Sequence, residues 1–405
     1  LLASFGFLAV RAGYRLPRWF AVESWARWDS NWYNDIADHG YWVGPPGDAR
    51  PRPGWIAPQD WFAGNVGWFP GYPTLGRLLS RVTGVSSYTG QLWIGWIAWY
   101  LLLCALWRLT TGAGPARRWL TLAAGGTVTG AVYFAAAFPL SLALAGLLWS
   151  VYFVIRSRWR WATPAAFGCA LVAGNAYLTS VVAVPAMLAV AVLVLTGRRR
   201  RSALAAAGGA AAGFGLVLLQ MQWPAGMWDG YFRFTQRYQI DPGNPLHTFA
   251  DRLKPLWHNA SEFRTAAAWQ TLLTFGVIVL VLGIVLAQLA GLGRPLPTRG
   301  GSDPGGGRDG ADQAGPQRFW LGGCSRWLAA RVDAMDLLLA LLAFGAWLVP
   351  LVAGGQASTY RSEAFVVLAV PLLRRLPAPM LAAVVLLQGA VLWNMVPYFV
   401  NRQMV

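Results

Sequence analysis

Charge is scarce in this chain. Only 12% of its 405 residues are Asp, Glu, Lys or Arg, about half the share of a soluble domain, which excludes an ordinary water-soluble globular protein. Lysine is nearly absent: Lys254 stands alone among 33 basic residues, against 16 acids. Cysteine is rare as well. Cys104 and Cys169 fall inside apolar runs and Cys324 in a basic loop, so neither a disulfide framework nor a metal-binding spacing emerges. Of the three histidines, His247 and His258 are eleven residues apart, which is not a zinc spacing, and no metal is expected. No Gly-rich turn between strand and helix marks a nucleotide site, no internal repeat is visible, and no cofactor is called for. A cleavable signal peptide is not visible either. The chain opens on Leu in a short apolar stretch ended by Arg11, read as the tail of a spanning helix whose start is missing.

What is abundant is apolar. The chain is 56% hydrophobic, with 24 Trp, 46 Gly and a mean hydropathy of +0.42. Trp collects at membrane interfaces and Gly is frequent in spanning helices. Apolar runs of about 20 residues are long enough to cross a hydrocarbon core. The expected fold is an all-α polytopic membrane protein forming one domain over residues 1–405. It has about eleven spans, ending near 12 and then near 88–108, 119–137, 139–155, 163–176, 178–196, 203–221, 267–290, 334–352, 362–373 and 379–396. The net charge of +17 sits in short arginine clusters between apolar runs, which argues for lipid headgroups and against nucleic acid. Arg108, Arg117 and Arg118, then Arg156, Arg158 and Arg160, then Arg198 to Arg201, then Arg374 and Arg375 are separated by even numbers of spans. They are therefore expected on one side, the cytoplasm. Loops 13–87 and 222–266 then lie outside, and the Gly-rich linker within 291–332 lies inside.

The outside loops hold most of the acids, all three histidines and many aromatics. Residues from Glu23 or Ser24 to His39 read as an amphipathic helix ended by Gly40. At 100° per residue, Trp25, Trp28, Trp32, Tyr33, Ile36 and His39 form one stripe. Asp29 falls within it, a carboxylate on an apolar face, which is costly unless paired or used. Either it clamps the fold against Arg27 or a distant arginine, or it works. Asp35 and Asp38 read as solvated residues of the polar face. Downstream, Gly67-Trp-Phe-Pro-Gly-Tyr-Pro73 makes a rigid turn. In the loop 222–266, Met227 to Tyr238 reads as a second interfacial helix.

Taken together, Arg27-Trp28-Asp29-Ser30, Tyr33, Ile36-Ala-Asp-His-Gly-Tyr41 and Trp68-Phe-Pro-Gly-Tyr-Pro73 resemble the first-loop signature of the PIG-V family. That family includes GPI mannosyltransferase II and bacterial relatives, within the GT-C superfamily of polytopic glycosyltransferases. The resemblance covers about 50 residues closely. Ser358-Thr359-Tyr360-Arg361 looks like a rearranged Arg-Tyr pair of such members. Phe138-Pro139-Leu140-Ser141 departs from their Tyr-Ser/Thr-Glu-Ser, so an acid of the pattern is missing here.

The resemblance implies a GT-C-type bundle with interfacial helices in its external loops. It implies a polyprenyl-phosphate-mannose donor, and a first-loop acid near the acceptor that Asp29 matches. An inverting displacement needs one base and cations for the phosphate leaving group, so Asp29 is expected as base. His39 would assist it, bind donor phosphate or cap the helix. Arg27, Trp28, Tyr33, Tyr41, Phe69, Pro70 and Tyr72 are expected to line the substrate site. Arg361, Arg237, Arg233 and Lys254 are candidates for the donor phosphate, Arg suiting it through bidentate contacts. The Arg-, Ala- and Gly-rich composition points to a GC-rich bacterium, hence a plasma membrane location with the site outside and a glycolipid or lipoglycan acceptor. Two alternatives stand beside this: another polyprenyl-phosphate sugar such as a pentose, and a lipid or glycan transporter.

Overall fold

The computed structural model describes residues 1–44, 63–156, 159–236, 243–292, 327–328, 330–354 and 359–401. Helices form where the apolar runs lie. Among the described residues, five are long and apolar enough to cross a membrane: Ser87–Leu109, Gly197–Pro224, Glu262–Leu289, Ala334–Val352 and Ala378–Val400. Shorter helices cover Leu2–Arg11, Leu140–Ile155, Ala162–Ala176 and Ala183–Leu193, the last entered through a 3₁₀ stretch, Leu178–Val182. The architecture is that of an all-α membrane protein.

Local chemistry sets several of the boundaries. The Ser86 hydroxyl accepts from the Thr89 N–H at 3.1 Å and opens the Ser87–Leu109 helix. The Asp333 carboxylate accepts from Met335 N at 2.9 Å and opens Ala334–Val352. Each satisfies a donor that the first turn leaves without a partner.

Two expected spans are not single α-helices. Residues 119–137 divide into Pro115–Gly126 and Val132–Ala135. The break contains Gly130, where any Cβ would strike the backbone of Ala364, so close packing against a neighbour outweighs helical continuity there. Residues 362–373 form two 3₁₀ runs, Glu363–Leu368 and Val370–Arg375, buried from Ser362 through Arg374. Pro371 has no N–H to extend an α-helical ladder.

Helix pairing rests on small residues. Ala162–Ala176 packs along Gly197–Ala225, and a Cβ on Gly174, Gly209 or Gly213 would collide with the backbone of the facing helix. Close backbone approach through small residues is how helices associate where water supplies no driving force. The polar end of the bundle is also brought together: Arg156 donates to the Thr111 hydroxyl at 2.9 Å. The ends of the Ser87–Leu109 and Leu140–Ile155 helices therefore meet.

Arg374 and Arg375 depart from the expectation of a headgroup-facing cluster. Arg374 is 4% exposed and donates to Asp336, itself fully buried, at 2.7 Å. Arg375 donates to the other oxygen of the same carboxylate and lies 3.6 Å from Asp333. Gln288 closes the group, donating to Asp336 at 2.9 Å and accepting from the Asp333 N–H at 3.0 Å. Two acids and two bases neutralise one another in the interior, tying the Glu262–Leu289 and Ala334–Val352 helices to the second 3₁₀ run. Removing one member of such a group strands the rest as buried charge. Asp336→Ala is therefore expected to cost about 3–5 kcal/mol, seen as a lowered thermal midpoint in detergent. Replacing Asp336, Arg374 and Arg375 together by Leu is expected to recover much of that loss. Equal destabilisation of the single and triple variants would contradict the assignment.

Candidate active site

The segment expected to be one helix from residue 23 or 24 to His39 is two. Val22–Trp25 is a single turn, residues 26–29 leave the helix, and Ser30–His39 resumes it. Tertiary hydrogen bonds make the break. The Trp25 indole donates to Trp19 O at 2.7 Å, and Ala137 N donates to Trp25 O at 3.3 Å. The buried Ser30 hydroxyl donates to Ala137 O at 3.1 Å and accepts from Arg27 N at 3.2 Å. Residues 25–30 are thereby laid over the turn at 136–138. Trp28 takes up the strain with φ +55°, the one non-glycine residue at positive φ among those described. Such a conformation costs on the order of 1–3 kcal/mol and persists only where its surroundings enforce it. The C-terminal end follows expectation: Gly40, at φ +80°, terminates the helix.

The break aims Asp29 at Arg361. The guanidinium donates to the Asp29 carboxylate, 332 positions away in the sequence, with the two side chains 15% and 24% exposed respectively. The pair sits among aromatics. The Arg361 guanidinium lies 5.2 Å from the centre of the Phe138 ring. Phe138 makes edge-to-face contacts with Tyr33 and Tyr133 at 6.1 and 5.4 Å, and Tyr177 stacks on Phe365 at 5.6 Å. Burial, and after it the Asp29 carboxylate, pushes the Tyr33 phenol well above its ordinary pKa. Burial raises the Tyr177 phenol too, against the opposing pull of Arg361. Both stay protonated and able to donate. Burial works against the Arg361 charge, but the Asp29 carboxylate outweighs it and the guanidinium is held protonated more firmly than usual. One polar atom of this segment has no partner: the buried Trp28 Nε1.

The other sequence candidates divide. Tyr33 is in the site. Tyr41 and Tyr72 are buried, and their hydroxyls donate to Trp68 O and Gln91 O at 2.6 and 2.7 Å. Phe69 is buried against Phe214 and Tyr231, and Pro70 immediately precedes the Gly71–Thr83 helix. Of these four, Tyr72 packs edge to face on Tyr33 at 5.8 Å. Arg27 directs its guanidinium to backbone carbonyls, including Ala26 O at 2.9 Å and Val400 O at 3.4 Å, and braces the break. His39 stands at the far end of its helix, about 15 Å of helical rise from Asp29. It is largely exposed and paired with Asp35 at 3.0 Å, so the structure does not bring it to Asp29. Asp35 is more than a solvated acid, since it also accepts from the Trp42 indole and from Asn65 at 2.7 and 2.8 Å. Asp38 accepts from Asn34 at 2.9 Å and from Ser87. Arg233 pairs with Asp229 at 2.8 Å and Lys254 with Asp251 at 2.6 Å. Arg237 lies outside the described residues, and of the expected 227–238 helix the stretch Gly230–Gln236 is helical. Among the described residues, no three His, Cys, Asp or Glu side chains gather as metal ligands.

Sequence reasoning missed Tyr133, Tyr177 and Phe138 as neighbours of the pair. Only folding brings these turns together, and no local spacing announces it. No protein-family model, curated protein or solved structure matches this chain, so the geometry stands as its own argument.

If Asp29 and Arg361 depend on one another as the geometry requires, Asp29→Asn and Arg361→Gln will be non-additive. A coupling on the order of 1–3 kcal/mol is expected from a double-mutant cycle of thermal unfolding. Additive effects would mean the two side chains do not interact in the membrane-embedded protein.

Proposed function

We propose that the protein is an integral membrane glycosyltransferase. It transfers mannose from a polyprenyl-phosphate-mannose donor to a lipid or glycolipid acceptor at the Asp29–Arg361 pair, on the non-cytoplasmic face of a bacterial plasma membrane. The resemblance of residues 27–41 and 68–73 to the PIG-V signature motivates this reading, and helices long and apolar enough to cross a membrane agree with a membrane location. The observation that carries it is the pairing itself: the acid of the first loop meets the arginine of the late rearranged motif in a partly open, aromatic-walled position.

The chemistry follows from the two groups. The acceptor hydroxyl oxygen attacks the anomeric carbon of the donor sugar, and its proton passes to the Asp29 carboxylate. The bond from that carbon to the phosphate oxygen breaks on the opposite side, inverting the centre, and the electron pair leaves with the polyprenyl phosphate. Arg361 stabilises the charge of the leaving phosphate. A guanidinium has five donors in a planar fork, so it can hold phosphate while still orienting Asp29. In the absence of donor, the ion pair keeps the buried carboxylate neutralised. Arrival of the phosphate competes for the guanidinium and frees the base.

A transporter reading would draw on charges buried in the bundle. The principal cluster, Asp333 and Asp336 with Arg374 and Arg375, pairs two acids with two bases and is hydrogen-bonded to Gln288, which suits a clamp better than a pathway.

The decisive experiment supplies purified protein with labelled polyprenyl-phosphate mannose and membrane lipid extract, then identifies the product by mass spectrometry. Asp29→Asn is expected to remain folded in the membrane and to lose on the order of 10²–10⁴ in transfer rate. Arg361→Lys, which keeps the charge but loses the fork, is expected to raise the donor KM as well as lower kcat. Normal turnover by Asp29→Asn would sink the assignment of the base. Transfer of a pentose instead of mannose would keep the mechanism and change the donor.

A further inference from the structure

Four consecutive arginines open the Gly197–Ala225 helix. Arg198, Arg199, Arg200 and Arg201 are all exposed, and among the described residues none of their side chains meets an acid, an aromatic ring or a carbonyl. They stand at the positive end of the helix dipole, where like charge is unfavourable, and the first turn holds no acid. The Thr163 and Ser202 hydroxyls share a hydrogen bond at 2.8 Å, so this helix starts beside the Ala162–Ala176 helix. Arg160, whose guanidinium lies 5.4 Å from the centre of the Trp161 ring, therefore joins the same patch. Trp159 and Trp161 are each more than half exposed at its edge.

The structure sorts the arginine clusters that sequence alone treats alike. Arg374 and Arg375 are committed to Asp336. Arg118 lies on Trp107, 3.7 Å from the ring centre, and Arg156 reaches Thr111. The Arg198–Arg201 run has no such partner, and the chain offers it little. No Asp or Glu occurs between Asp60 and Asp229, and residues 293–326 carry more arginine than aspartate. Asp333 and Asp336 are already paired. The counter-charge comes from outside the chain. Two features choose among outside anions. The run begins a helix long and apolar enough to cross a membrane, so it sits where a span leaves the hydrocarbon. Exposed Trp beside it is characteristic of the headgroup level. Anionic lipid phosphates are concentrated there, and cations near such a surface add their attractions one by one. A nucleic acid would need the patch to stand clear of the bilayer. At 100° per residue, four successive side chains point to four sides of the helix. The run is thus a collar rather than a pocket, and it selects charge instead of headgroup shape.

We propose that Arg160 and Arg198–Arg201 form a docking surface for anionic phospholipid headgroups, which gathers such lipids around this end of the bundle. The surface stands independently of the transferase reading.

The test counts lipids at the protein surface. The full chain is reconstituted in phosphatidylcholine bilayers with a trace of spin-labelled phosphatidylglycerol, phosphatidylserine or phosphatidylcholine, and the motionally restricted lipid is measured by electron spin resonance. Phosphatidylglycerol and phosphatidylserine are expected to be enriched equally over phosphatidylcholine, by at least about threefold. Most of that excess is expected to vanish at about 1 M salt, where the screening length falls to about 3 Å. Replacing Arg198, Arg199, Arg200 and Arg201 by Gln is expected to remove it too, whereas Arg233→Gln, at an arginine already paired with Asp229, is expected to leave it. Thermal unfolding shows whether each variant is folded. If the fourfold variant is not, Arg199→Gln with Arg200→Gln is expected to remove about half of the excess, since the attractions add. Equal association of the three lipids with wild type, or an excess unchanged in the arginine variants, overturns the proposal. Enrichment of one anionic lipid without the other overturns the collar. Single-stranded RNA held by these arginines in detergent, with no anionic-lipid excess in bilayers, would give the surface to a soluble polyanion and overturn the lipid assignment.

Discussion

A charge withdrawn from water must meet its opposite, and that demand organises the packing of this chain. Born desolvation makes an isolated buried carboxylate or guanidinium cost several kcal/mol even after relaxation. Asp29 and Arg361 meet this constraint across nearly the whole sequence. Asp336, Arg374 and Arg375 meet it within the last third. The two groups differ in what surrounds them. The Asp336 cluster lies deeper, with Asp336 fully buried and Gln288 donating to it, and its pairing ties helices together. The Asp29–Arg361 pair is more open, with the protonated phenols of Tyr33 and Tyr177 close by. An open pair can exchange its partner for a ligand; a closed one cannot without unfolding its surroundings.

The strain at Trp28 belongs to the same logic. A continuous helix from residue 22 to residue 39 would satisfy local propensity. The chain instead breaks at 26–29 and places Trp28 in a left-handed conformation, held by the Ser30–Ala137 and Trp25–Ala137 hydrogen bonds. Small sequences of side-chain and backbone bonds thus override a strong periodic pattern, and the result is the direction in which Asp29 points.

Much of the helical layout was legible because apolar runs and their flanking arginines are additive, local signals. Asp29 was legible too, since a carboxylate among Trp25, Trp28 and Tyr33 stands out whether or not the helix is continuous. Its partner was only one candidate among four, because a contact over 332 positions leaves no mark in local spacing. Arg374 and Arg375 were misread for a related reason: arginines next to an apolar run look like headgroup contacts until their acid is found. The signal existed. Asp336 and Glu363 are the acids that fall inside the expected spans 334–352 and 362–373, and an acid in such a place asks for a partner or a task. His39 shows the opposite error, for a motif position can be filled by a residue whose hydrogen bonds, here to Asp35, serve the loop.

The two 3₁₀ runs between Glu363 and Arg375 have a geometric consequence. A 3₁₀ helix rises about 2.0 Å per residue against 1.5 Å for an α-helix. The twelve residues wound this way, six in each run, rise about 24 Å in all, the rise of an α-helix of roughly sixteen. A stretch too short to be a conventional span thereby acts as a slender strut, with Arg361 just before one end and Arg374 and Arg375 at the other. Length is gained by winding tightly, and the backbone that leaves the open ion pair runs in these two turns to the arginines of the buried cluster.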